Sequence, residues 1–152
     1  MVFSANGVAE DSLTARIRVR GNFRKKICYF KPMRIEIRKN QAENTMFENN
    51  RKLKLVVPCQ NESGKDELVY KEMIAYKLFE ELSDIHLKTQ AVSLTINEIK
   101  GNKIIEHQVF AFLIEDDDNV AERNEIKKFP KRRVSPLTVS DSSAINFAHS
   151  GL

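Results

Sequence analysis

The chain has 152 residues, of which 41% are hydrophobic and 30% charged, values typical of a globular protein that buries one core. No apolar run reaches the roughly 20 residues of a membrane helix. The start, MVFSANGVAEDSLTA, lacks a basic segment followed by an apolar one, so neither a membrane segment nor a secretory signal is expected in this chain. The formal net charge is only +4, but ten cations between Arg16 and Lys39 face a single acid, Glu36, and such a stripe favours an anionic partner.

Residues 1–14 show no periodicity and read as a lead-in. Ile17 and Val19 then alternate with Arg16, Arg18 and Arg20, the pattern of a half-buried strand. After Pro32 a second strand sets Met33, Ile35 and Ile37 against Arg34, Glu36 and Arg38. Residues 40–50 are polar apart from Met46 and Phe47 and read as a loop. The segment RKLKLVVP is a third strand, with Leu53, Leu55 and Val57 inward and Lys52 and Lys54 opposite; Pro58 ends it.

A long helix follows, with Asp66 as its expected N-cap and Leu68, Ala75, Phe79 and Leu82 as its apolar stripe. Two further strands, about 89–98 and 104–114, are joined by a turn through Lys100-Gly101-Asn102. VFAFLI is apolar on both faces and reads as a central strand. EDDDNVAERN suits the acidic start of a short helix, KKFPKRRVSPLTVSDSS a linker, and DSSAINFAHSGL a helix that stops within about two turns. The expected fold is therefore α+β: an antiparallel sheet of about five strands, one main helix and an irregular C-terminal tail.

Cys28 and Cys59 stand outside any zinc-binding spacing. Each flanks a strand, which leaves two readings open: a disulfide formed in an oxidising compartment, or two buried thiols. His86, His107 and His149 are scattered and read as packing or surface residues. Asp116, Asp117 and Asp118 read as a helix cap rather than a metal site, because consecutive carboxylates diverge.

On a helical wheel Glu72 lies about 40° from Leu68, within the apolar stripe. A carboxylate there is either a boundary group with its head in water or half of an ion pair with a strand cation, Lys54 first among them. Strands, a Glu-bearing helix, two strands and a hinge is the order of a protein-kinase small lobe, although GxGxxG and VAIK are both absent.

The segments RIRVRGNFRKKICYFKPMRIEI, RKLKLVVPCQ, KDELVYKEMIAYKLFEEL and QVFAFLIEDDDNVAERN resemble the CotH kinase-like family, named for spore coat protein H. The likeness covers roughly residues 15–124 and lies in order and spacing; Phe23-Arg24 replaces the Ser-Thr that often follows the Arg-Gly-Asn turn. The resemblance implies ATP and Mg²⁺ as cofactors and phosphoryl transfer to a protein hydroxyl. Arg20, Gly21 and Asn22 would form the turn over the phosphates, and Lys54 or Arg34 would be the phosphate cation. Glu72 would be that cation's helix partner, and Glu115 would approach the adenine at the hinge. The cysteine pair resembles forms common in bacterial exported or surface proteins.

In that family the catalytic and metal-binding aspartates lie beyond the hinge. Residues 1–14 are then a lead-in, 15–115 a kinase-like small lobe, and 116–152 a hinge, linker and start of the second lobe, as in an N-terminal fragment inactive by itself. No catalytic or metal-binding residue is assigned within it. The expected partners are a protein substrate or the missing lobe, with self-association through Phe112, Leu113 and Ile114. Two rivals remain: a non-catalytic surface or interaction domain, and a nucleic-acid module using Arg16, Arg18, Arg20, Arg34 and Lys54 with Phe23, Tyr29 and Phe30.

Overall fold

A computed structural model describes residues 2–5, 8–62, 64 and 66–126, the first two strands by backbone alone. The expectations for the linker, the terminal helix and His149 lie outside the described residues. The fold is α+β. The lead-in is more ordered than expected, because β1 (Val2–Ala5) and β2 (Val8–Ser12) pair antiparallel as a separate two-stranded sheet. Strands this short close a ladder of backbone hydrogen bonds without an alternating pattern to announce them.

The main sheet has five antiparallel strands in the order β3 (Ala15–Val19), β4 (Met33–Ile37), β5 (Lys52–Val56), β7 (Lys103–Glu115), β6 (Thr89–Lys100). The end of β7 is flanked on both sides, by β5 and β6, which explains the two-sided apolarity of VFAFLI. The β6–β7 hairpin turns at Gly101-Asn102, where Gly101 has φ +59°, a left-handed conformation that glycine adopts without strain. Ile17 and Val19 are more than half exposed, because β3 is an edge strand that the core does not cover.

The two faces of the sheet carry different cores. On one, Ile35, Ile37, Leu53, Leu55 and Ala111 pack under Leu13, Phe30, Ala42 and Phe47. The expected loop at 40–50 thus supplies buried side chains, and it begins as the one-turn helix α2 (Lys39–Ala42). Another single turn, α1 (Arg24–Ile27), follows the Gly21-Asn22 turn. Cys28 and Cys59 are joined in a disulfide with Cα atoms 4.5 Å apart, tying the end of α1 to the loop after β5.

On the other face lies α3 (Asp66–Leu82), packed through Val69, Met73 and Tyr76 onto Val56, Phe110, Phe112 and Ile114. This corrects the expected stripe: Leu68, Phe79 and Leu82 are 69%, 47% and 84% exposed, and Ala75 also faces water. α3 has apolar residues on both sides, and the narrow patch of sheet beneath it selects the line of Val69 rather than that of Leu68. Asp66 is the first helical residue, and its carboxylate accepts from the Phe110 amide at 3.3 Å. Phe112 and Ile114 are buried and Leu113 is half-buried, so the surface expected to drive self-association is already covered within the fold.

Near the β6–β7 turn, Glu98 gathers three donors: Tyr29 Oη at 2.5 Å, His107 Nε2 at 3.1 Å and Lys100 Nζ at 3.2 Å. The Tyr29 hydroxyl, then His107, hold its carboxyl well below the usual 4.5, at about 2. Because the folded value is depressed, this contribution to stability is present above pH 4.5 and lost as pH falls towards 2. Tyr29→Phe removes the leading cause. The Glu98 carboxyl resonance, followed by NMR against pH, then titrates at a higher pH than in the parent chain.

Candidate functional site

Four of the expected residues, Arg20, Gly21, Lys54 and Glu72, line one cleft of about 160 Å³. Its roof is the turn after β3. The Arg20 amide donates to the Pro32 carbonyl at 2.9 Å, and Gly21, with φ +81°, swings the chain back into α1. The floor is the helix-side face of the sheet, with Lys54 and Val56 on β5 and Ile114 on β7. Glu72 and Tyr76 of α3 make the far wall, and Arg24 of α1 adds a cation to the roof.

Lys54 faces this cleft because β5 alternates: Leu53, Leu55 and Val57 fill the opposite core, which turns 52, 54 and 56 towards α3. Its register partner on β4 is Arg34, whose partner on β3 is Arg18, so three cations stand abreast on neighbouring strands. Like charges in such a row repel by a few tenths of a kcal/mol or more per pair, and the acidic run after β7 offsets part of this. Asp116 pairs with Arg34, Asp117 with Lys54, and Asp118 lies 4.0 Å from Lys52.

The expected Lys54–Glu72 ion pair is therefore not formed; Asp117 takes that lysine. Helix α4 (Asp117–Arg123) leaves β7 beside β5, which brings Asp116 and Asp117 to the neighbouring cations Arg34 and Lys54 of one row. Asp116 is also the cap of α4, accepting the Asp118 amide at 3.2 Å. Glu72 is half-buried on the cleft wall, and among the described residues it has no ion-pair partner. Arg20 and Arg24 likewise have no carboxylate partner among the described residues. Burial pushes the Tyr76 hydroxyl above its ordinary pKa, the Glu72 carboxylate adds to this and Arg20 opposes it, which registers how close the three groups stand.

The remaining expected residues lie elsewhere. Asn22 is in the roof turn but does not line the cleft, and Arg34 is beside Lys54 but tied to Asp116. Glu115 is buried and structural: it accepts the Lys88 amide at 3.1 Å and Arg123 Nη1 at 3.1 Å, and its own amide donates to Lys88 at 3.0 Å. It latches α4 to the sheet and offers no free amide to an adenine. Arg24, Tyr76 and Asp117 were missed. Tyr76 was readable, being one helical turn after Glu72, whereas the position of Asp117 depends on strand order.

No group of three or more His, Cys, Asp or Glu side chains capable of holding a metal occurs among the described residues. Glu72 is the single carboxylate among the described residues lining the cleft, and Asp117 beside it is held by Lys54, so this donor set does not fit a resident Mg²⁺; such an ion would arrive on the phosphates. A wider hollow of about 380 Å³, lined among others by Thr14, Arg16, Glu36, Arg38 and Arg51, holds none of the residues expected to bind the nucleotide. Of the aromatic side chains a nucleic-acid surface would need, Phe30 is buried in the core and Tyr29 is bonded to Glu98. No helix among the described residues is long and apolar enough to cross a membrane. Neither family models, nor curated proteins, nor solved structures give a match to this chain.

Proposed function

We propose that the chain is the small lobe of a CotH-like protein kinase and that its cleft holds the phosphate chain of a nucleotide, ATP in the intact protein. One observation carries the reading: Arg20-Gly21, Lys54 and Glu72, far apart in sequence, line the same cleft on the helix-side face of the sheet. Arg20 and Arg24 from above and Lys54 from below give the cleft positive walls, and positioning and charge are what phosphoryl transfer asks of this part of a protein. Lys54 exchanges Asp117 for phosphate when the nucleotide enters. The base and metal-binding carboxylates for transfer to a protein hydroxyl come from a second lobe.

Millimolar ATP with Mg²⁺ raises the melting temperature on this reading. At about ten times a millimolar Kd the gain is about 1.4 kcal/mol, or roughly 3–6 °C for a domain of this size. Lys54→Met abolishes the shift. Lys77→Met, on the outer side of α3 and paired with Glu80 at 2.8 Å, retains it. The pairing of Arg34 and Lys54 with Asp116 and Asp117 favours a second reading, a non-catalytic interaction domain whose cations are permanently neutralised. That reading predicts no ATP shift in either variant or in the parent chain.

A further inference from the structure

Among the described residues no strand pairs with the outer side of β3, and β1 and β2 form a sheet of their own. Ile17 and Val19 are more than half exposed on the face that carries the Phe30 core, while Arg16 and Arg18 project from the helix side. We propose that this edge takes up an extended peptide that alternates acidic and apolar residues and ends in a free carboxylate.

A peptide added to an edge strand gains backbone hydrogen bonds whatever its sequence, and its side chains decide which peptide fits. Residues opposite each other across a ladder share a face. An added strand therefore sets one row of side chains beside Arg16 and Arg18 and the other beside Ile17 and Val19. Acids suit the first row: neither arginine closes an ion pair among the described residues, and Arg18 stands opposite Arg34, whose acid is Asp116. Apolar side chains suit the second, where they continue the core face over Ile17 and Val19.

A second copy of the chain does not fit. Two β3 strands paired antiparallel in one continuous sheet set arginine opposite arginine whenever Arg16 to Arg18 overlap, because both arginines lie on one face. Charges that blunt the edge against its own copy leave it open to an acidic strand.

The direction of the peptide follows from charge. Beside the start of β3 lies the hollow of about 380 Å³, whose lining includes Arg16, Arg38 and Arg51 with one carboxylate, Glu36. A strand antiparallel to β3 brings its C-terminal end here, so its terminal carboxylate meets guanidinium groups; a parallel strand would bring an ammonium. None of these arginines lines the nucleotide cleft, so the site stands apart from it.

Amide NMR of the labelled full chain, titrated with a peptide of about eight alternating valine and glutamate residues, tests this. Saturable shifts at Arg16 to Val19 are expected with a Kd below about 1 mM, while β6 at the opposite edge stays unmoved. Arg18→Glu weakens binding at least about tenfold with an unchanged circular dichroism spectrum. Lys103→Glu, the same change of charge at the β6–β7 turn, retains it within about twofold. Amidating the peptide's C-terminus weakens binding to the parent chain at least about threefold. Equal binding of the amidated peptide, or of one with the same residues in two blocks, overturns the inference, as does the absence of shifts at about 1 mM. Tighter binding of a single-stranded oligonucleotide at the same amides also overturns it and assigns the edge to nucleic acid.

Discussion

Phe112→Ala lowers the free energy of unfolding by about 3–5 kcal/mol, the cost of a large cavity in a packed core. Phe112 is wholly buried and lies in register with Val56 of β5 and Ala91 of β6. Its ring packs with Val56, Val69 and Ile114, and its centroid stands 6.0 Å from that of Tyr76. Its ring joins the central strand to α3, and neither β5 nor α3 can move inward to fill the space without breaking its ladder or its helix. Urea unfolding measures the loss. Phe23→Ala, at a largely exposed aromatic, stays within about 0.5 kcal/mol. A loss below about 1 kcal/mol at Phe112 would show that α3 is not seated on β7 as described.

Asp116→Ala is the second large loss, about 2–3 kcal/mol from an N-cap of about 1 and a charged partner worth somewhat more. The Asp116 carboxylate is buried, caps α4 through the Asp118 amide and pairs with Arg34. The Arg34 side chain is about half exposed and recovers water when its partner leaves, which keeps the cost below that of a fully buried pair. Asp116→Asn keeps the cap and loses the charge, so it falls between the parent and the alanine variant. Lys71→Ala, by contrast, breaks a fully hydrated pair with Glu67 and changes monomer stability by only a few tenths of a kcal/mol. Equal losses for Asp116→Ala and Lys71→Ala would show that Asp116 does not hold the start of α4 to Arg34 of β4.

The strands of the main sheet were legible because alternation is local. Met33, Ile35 and Ile37 differ from Arg34 and Glu36 whatever lies above them, and the turn at Gly101-Asn102 announces itself chemically. The helix was legible as a helix but not as a face. With Leu68, Ala75, Phe79 and Leu82 on one side and Val69, Met73 and Tyr76 on another, the buried line was decided by Val56, Phe110 and Phe112 from distant strands. The candidate site divides in the same way. That Lys54 faces the helix follows from β5 alone, whereas its partner, 63 residues away, follows from the neighbouring of β5 and β7.

Amide NMR of the isotopically labelled chain, titrated with ATP and Mg²⁺, tests the nucleotide cleft most directly. Nucleotide in the cleft moves the amides of Arg20, Gly21 and Asn22 together with those of Lys54 to Val56 and of Glu72 to Tyr76, saturably, and Lys54→Met abolishes the movement. Shifts confined to the hollow around Arg16, Arg38 and Arg51, or none at millimolar ATP, would contradict it.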